Sequence, residues 1–389
     1  MRANADTKSN AWATLGSFFR NNPLHQWRML AIVPLILATL SACLLLQHGV
    51  IPEDLCIVQA DNSYYPKLAG EPATLEQLQW LPDGGGLLLK TATGGLYNIQ
   101  LLPGGGVDLH DTELEAQEFS IAPDAQIVAL TQNLGSDLFE TDLYTIPDLT
   151  FIESLPGFVS GAISPDGRLL AGTNGDSDEY WIEILDRTNL ASGPANLMDI
   201  NGRRTYGLAG NWSSQKDWLP VNEITPTGVK IWIVDWPSQE VMPLQEFSGC
   251  QENSSWSPVS DEIAYQGNPD DDWDIFVEAP ANMSFQNLTT SANVNEYQPD
   301  WSPDGQHIVY VAVQSLPTPK AFSQELYIID LASRETAQLT NTPDEHESFP
   351  RWSPDGTKVA FFVDSGETLG FRIINLSGRN LTDLIPVPK

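Results

Sequence analysis

Two kinds of apolar patterning divide the chain. Met29–Leu46, MLAIVPLILATLSACLLL, is a single uncharged run of 18 residues. Beyond residue 54 the apolar residues fall instead into short runs such as Ile308-Val309-Tyr310-Val311 and Leu326-Tyr327-Ile328-Ile329, rich in β-branched and aromatic side chains and bounded by turn residues. The first pattern predicts a helix about 27 Å long, the short end of a membrane crossing. The second predicts many short buried strands.

The short runs recur in step. Trp301-Ser302-Pro303-Asp304-Gly305 and Trp352-Ser353-Pro354-Asp355-Gly356 are the clearest copies of one motif. Ile163-Ser164-Pro165-Asp166-Gly167 and Trp256-Ser257-Pro258 are close to it, and Trp80-Leu81-Pro82-Asp83-Gly84, Ile121-Ala122-Pro123-Asp124-Ala125 and Trp212-Ser213-Ser214 are looser. Lead residues therefore stand at 80, 121, 163, 212, 256, 301 and 352, in steps of 41, 42, 49, 44, 45 and 51. Pro-Asp-Gly makes a turn, because proline presets φ, the aspartate bonds back to the backbone and glycine takes a positive φ. A second strand follows each turn. A third follows in Glu325–Asp330 or Asp274–Val277, and a short fourth in Gln338-Leu339-Thr340 or Asn287-Leu288-Thr289. Four antiparallel strands every 40 to 50 residues predict propeller blades, with the lead Trp or Ile wedged between neighbours.

In the WSPDG motif and in LYIIDL-x₇-LT the chain resembles the TolB-like, WD-type repeat family over about residues 54–389. The resemblance implies an all-β, seven-bladed TolB-like β-propeller, with six or eight blades as alternatives. Residues 366–384 are expected to hold the last outer strands, and Leu55–Val58 with Tyr65–Leu68 a pair that clasps the ring near the last blade. Family members carry an α/β domain ahead of the propeller and are released to bind envelope lipoproteins. Residues 47–53 leave no room for such a domain, so only a general role as an envelope scaffold carries over.

Charge sharpens the picture. With 19 basic and 51 acidic residues the net charge is −32, which excludes phosphate-backbone binding and hence nucleic acid as a partner. Arg2, Lys8, Arg20 and Arg28 precede the long apolar run against Asp6 alone, whereas Glu53, Asp54 and Asp61 follow it before the first lysine, Lys67. This asymmetry predicts a cytoplasmic segment 1–28, a transmembrane helix 29–46, a linker 47–53 and an extracytoplasmic propeller 54–389. The alternative is a lipoprotein signal, Leu40-Ser41-Ala42-Cys43, with Cys43 lipidated. Cys43, Cys56 and Cys250 make neither a disulfide framework nor a CxxC pair, although the compartment allows a Cys56–Cys250 bridge.

Chemistry is harder to find. There is no G-x-S-x-G elbow, dinucleotide fingerprint, phosphate-binding loop or HExxH, and His110, His307 and His346 fall at unrelated places in the repeat. The chain is accordingly expected not to be an enzyme and to need no cofactor. Asn174, Asp176 and Asp178 resemble half of a calcium loop but lack its later glycine and glutamate, and an ordinary acidic turn explains them as well.

Glu76, Glu252, Glu296 and Glu347 lie four or five residues before their lead residues, and Glu118 three before Ile121, with Tyr297 and Phe349 beside them. On a propeller that offset gathers them at one mouth of the channel. The alternative is chance in an acid-rich chain. The expected function is a membrane-anchored scaffold that binds envelope proteins of basic surface. Alternatives are a sensor for a cation, basic peptide or carbohydrate at the mouth, and an unrecognised hydrolase or lyase.

Overall fold

The computed structural model describes residues 77–388 except 104–105, 136–137, 157, 159, 176–179, 198–206, 226–227, 237, 246, 248, 270–271, 283, 316–321 and 378–379. Met29–Leu46, Cys43, Cys56, the clasp strands at 55–68 and Glu76 lie outside these residues. Among the described residues no helix is long and apolar enough to cross a membrane.

Among the described residues the structure is all-β, in five four-stranded antiparallel sheets and one of nine strands. The nine-stranded sheet is two four-stranded units joined by one parallel bridge, Gln324 to His346, with an extra short strand, Ile385–Pro386, on its rim. Seven units thus follow in chain order, and each begins with a strand ending at or beside a lead residue, except that of unit 4, which ends three residues before Trp212. These first strands are Gln77–Trp80, Glu118–Ala122, Ser160–Ile163, Gly207–Ala209, Gln251–Trp256, Val294–Trp301 and His346–Trp352. The last unit takes its outer edge from the C-terminal residues, Asn380–Leu381 and Ile385–Pro386, both paired with Leu369–Asn375.

The turn chemistry is the one the motif predicts. In units 3, 6 and 7 the serine hydroxyl donates to the aspartate at 2.6 Å (Ser164 to Asp166, Ser302 to Asp304, Ser353 to Asp355) and accepts the amide five residues on. The glycine that follows has φ of 72°, 68° and 68° in the three turns. A side chain there would strain the backbone.

Apolar burial lies between the units. One cluster joins each consecutive pair, as Phe119 and Leu88 do for units 1 and 2 or Val311 and Phe361 for units 6 and 7. A further cluster joins Leu78 and Leu89 of unit 1 to Phe362 and Phe371 of unit 7. The packing therefore runs round and returns to its start. The lead tryptophans reinforce it with a repeated bond. The indole N–H of Trp80, Trp212, Trp256 and Trp301 donates to the carbonyl of Arg351, Ala162, Asn211 and Ser255, at 2.9, 3.4, 3.0 and 3.0 Å. Each acceptor is the residue just before the lead residue of the preceding unit, counting unit 7 as preceding unit 1. Trp352 departs from the series, its indole N–H having no partner.

Candidate functional site

The first strands of most neighbouring units pack on one another. In units 5, 6 and 7 each carries a β-bulge three residues before its lead residue, with Asn253, Gln298 and Phe349 at φ of 49°, 55° and 50°. Bulges re-aim side chains. Counted from the bulge, Gln251, Glu296 and Glu347 occupy one position, and Glu252, Tyr297 and Ser348 the next, on the opposite face of the strand. Glu118 stands in a first strand whose pairing has no bulge. The structure thus brings Glu296 and Glu347 to equivalent places and puts Glu252 and Glu118 elsewhere.

Glu296 is 1% exposed and Glu347 0%. Glu296 sits against the start of the third strand of unit 5, where its amide donates to the Trp273 carbonyl at 2.7 Å. Burial pushes its carboxyl up to about 8, and Asp274 adds to the rise. Glu347 accepts a hydrogen bond from the Thr342 hydroxyl. Burial again pushes the carboxyl up to about 8, with Glu325 and Glu345 adding to it. In both residues Oε2 is buried without a hydrogen-bond partner.

The two sites are copies of one design. Asp274 and Glu325 hold equivalent places in their third strands, since the next residues, Ile275 and Leu326, donate their amides to Thr289 and Thr340 of the Leu-Thr motif at 2.9 and 2.8 Å. A carboxyl of one unit thereby meets a glutamate of the next at junctions 5/6 and 6/7.

Burial pushes Glu252 up to about 7, with the Gln266 amide group at 3.4 Å opposing the rise. Tyr297 leans on Trp273 with ring centroids 5.6 Å apart. Burial also pushes Glu118 up to about 7, against the pull of Lys90, whose side chain is buried nearby. Phe349 packs into the cluster between units 7 and 1 and donates its amide to Gln298 Oε1 at 2.7 Å.

A belt of polar residues ties these strands together. Gln266 Oε1 accepts from Asn253 Nδ2 and from the Gln298 amide, both at 2.9 Å. Asp300 accepts from Ser255 Oγ at 3.4 Å and from the Trp352 amide at 2.8 Å, with Arg351 Nη1 4.0 Å away. Burial raises the Asp300 carboxyl and Arg351 opposes the rise. Reading only glutamates misses this belt. Its signal was the column one residue before each lead residue, where Ser255, Asp300 and Arg351 stand in successive units.

Of the calcium candidates, Asp176 and Asp178 lie outside the described residues, and Asn174 pairs with Trp181 in a strand register. Among the described residues no group of three His, Cys, Asp or Glu side chains could hold a metal. His110 and His346 belong to strands Val107–Glu115 and His346–Trp352. Cys250 is fully buried and disulfide-bonded.

No family model matches the chain. It is 27% identical over 110 residues to dipeptidyl-peptidase 5 of Porphyromonas gingivalis, covering 23% of this chain and 16% of that protein. It is 29% identical over 98 residues to the uncharacterized peptidase YuxL of Bacillus subtilis, covering 24% and 15%. The matched stretch thus spans about a sixth of each relative. Among solved structures, prolyl oligopeptidase B of Galerina marginata superposes with a TM-score of 0.58 at 10% identity, over 79% of this chain and 50% of that one. Oligogalacturonate lyase of Vibrio parahaemolyticus gives 0.56 at 12% identity, over 78% and 91%. TolB of Acinetobacter baumannii gives 0.43 at 16% identity, over 85% and 71%, too slight a likeness to argue from. The first two share the fold. These findings correct the expectation that the chain is no enzyme: its sequence relatives are peptidases by name, and its fold occurs in a prolyl oligopeptidase and a lyase.

Proposed function

We propose that the seven units are the blades of one closed β-propeller, and that it serves peptide hydrolysis by selecting peptides at the mouth of its channel. The observation that carries this reading is the closure of the ring, where Trp80 of the first unit reaches Arg351 of the last at 2.9 Å. A closed ring presents one polar inner wall to a threading chain. Glu252, Tyr297 and the Asp300–Arg351 pair on the first strands give that wall acidic and aromatic groups, and the net charge of −32 favours basic peptides. The peptidase names of the relatives support the link to hydrolysis. The run Met29–Leu46 supports a membrane anchor with the propeller outside the cytoplasm, where envelope proteins are its partners.

The test is to incubate the purified full chain with dipeptidyl p-nitroanilides of basic and acidic sequence, following release of nitroaniline and peptide binding together. Turnover or binding that favours basic peptides, weakened by Glu252→Gln, is the expected result. Neither turnover nor binding of basic peptides would sink the reading.

A further inference from the structure

The Pro-Asp-Gly turns lie at the far end of the first strands from the mouth. Between the turns of units 6 and 7 the structure holds a cavity of about 560 Å³. That is a size that takes small molecules or a few side chains. Its apolar lining is Ile328, Leu339, Leu376 and Trp352. Its rim carries Asp304 and Asp355.

Both rim carboxyls are ionised at neutral pH. The Ser302 hydroxyl and the Gln306 amide hold Asp304 below the usual range. Burial opposes ionisation of Asp355, but the Ser353 and Thr357 bonds and Lys358 outweigh it and hold the group at about 2. His307, in the wall, lies 3.4 Å from Asp330 and 3.9 Å from Asp304, and Lys358 is 3.6 Å from Asp355. Three carboxylates thus face one ammonium and one imidazole.

The preceding junction shows why the space is open. Val259 occupies in unit 5 the place Asp304 has in unit 6, and its Cγ2 lies 2.2 Å from where a Cβ on Gly305 would stand. At the next junction the corresponding point on Gly356 meets only Pro303, at 3.7 Å. Exchanging valine for aspartate both leaves room and adds a charge.

We propose that this cavity is a second binding site, for a basic side chain flanked by apolar residues in a peptide, the cation lying between Asp304 and Asp355 and over Trp352. A cation on an indole face gains most when partly desolvated, which the apolar lining provides. The site is independent of the mouth and of any hydrolysis.

The full chain is titrated calorimetrically with N-acetyl-Leu-Arg-Leu amide and with the same peptide carrying neutral citrulline or glutamate in place of arginine. Saturable 1:1 binding of the arginine peptide is expected, weaker by about tenfold for citrulline and absent for glutamate. Asp304→Val, which copies the unit 5 turn, should weaken binding by about tenfold or more, and Asp124→Asn, at an exposed carboxyl in the unit 2 turn, should leave it unchanged. Leu376→Trp fills the cavity without altering a Pro-Asp-Gly turn and should have the same effect as Asp304→Val if the latter fails to fold. Absence of saturable binding, or equal affinity for citrulline, overturns the proposal. Loss of binding in Glu252→Gln with retention in Asp304→Val overturns it too, by placing the peptide at the mouth.

Discussion

Junctions 4/5 and 6/7 have the same backbone plan and opposite polar chemistry. At 4/5 the residue five before the lead is Gln251, which accepts the Ile231 amide at 3.1 Å and donates to the Gln245 carbonyl at 2.9 Å. The residue just before Ile231 on the facing strand is Lys230, whose ammonium caps the Gly249 carbonyl at 2.8 Å. At 6/7 the same two places hold Glu347 and Glu325. The first junction satisfies its buried atoms with neutral and cationic donors. The second buries carboxyl oxygens, one without a partner, and must hold a proton to do so. Packing, then, sets the ring, while the polar pair at each junction sets how that junction responds to pH.

The largest effect expected is common to both junctions. Phe276→Ala at 4/5 and Phe361→Ala at 6/7 each remove a fully buried ring. Each should cost about 3–5 kcal/mol in denaturant unfolding. A cost below about 1 kcal/mol at either would show that its cluster does not hold the ring.

The pH response should separate them. A carboxyl raised to about 8 in the folded state favours the fold below its unfolded value near 4.5, and that contribution fades as pH rises through 8. The protein should therefore lose stability between about pH 5 and 8, and Glu347→Gln should flatten the profile, gaining on the order of 2 kcal/mol at pH 8.5. Unfolding curves across pH 5 to 9 decide it, and an unchanged slope in the variant removes Glu347 as the cause. At the other junction Gln251→Ala leaves the Ile231 amide unpaired and should cost about 1–3 kcal/mol with no pH dependence.

The smallest contrast lies in the indoles. Trp80→Phe gives up a bond to Arg351 and should cost about 1 kcal/mol more than Trp352→Phe, which gives up none. Equal thermal shifts in the two variants would deny the bond any weight.

Most of the fold was legible because its devices are local. Ser302, Asp304 and Gly305 close their turn within six residues, and Trp301 marks the end of a first strand wherever it falls. The acids were less legible, for two physical reasons. The bulges at Asn253, Gln298 and Phe349 use non-glycine residues at positive φ, so nothing in the composition marks them, yet each shifts the face on which preceding side chains lie. The partners of Glu296 and Glu347 also come from the unit before, Asp274 and Glu325, and adjacency across a junction emerges only when sheets pack. Taking offsets of four and five from the tryptophan together grouped Glu252 with Glu296, whereas an offset of five, two residues before each bulge, groups Glu296 with Gln251.

The indole bonds carry one further consequence. The bond across the seam between last and first units has the same donor and acceptor position as those at junctions 3/4, 4/5 and 5/6 and is as short as any of them, so this bond does not set the two ends of the sequence apart from those boundaries. For residues 77–388 the order of units is a matter of translation rather than of architecture. A circular permutant opened between units 5 and 6, with the old ends linked, would meet the same seven interfaces and should close into the same ring.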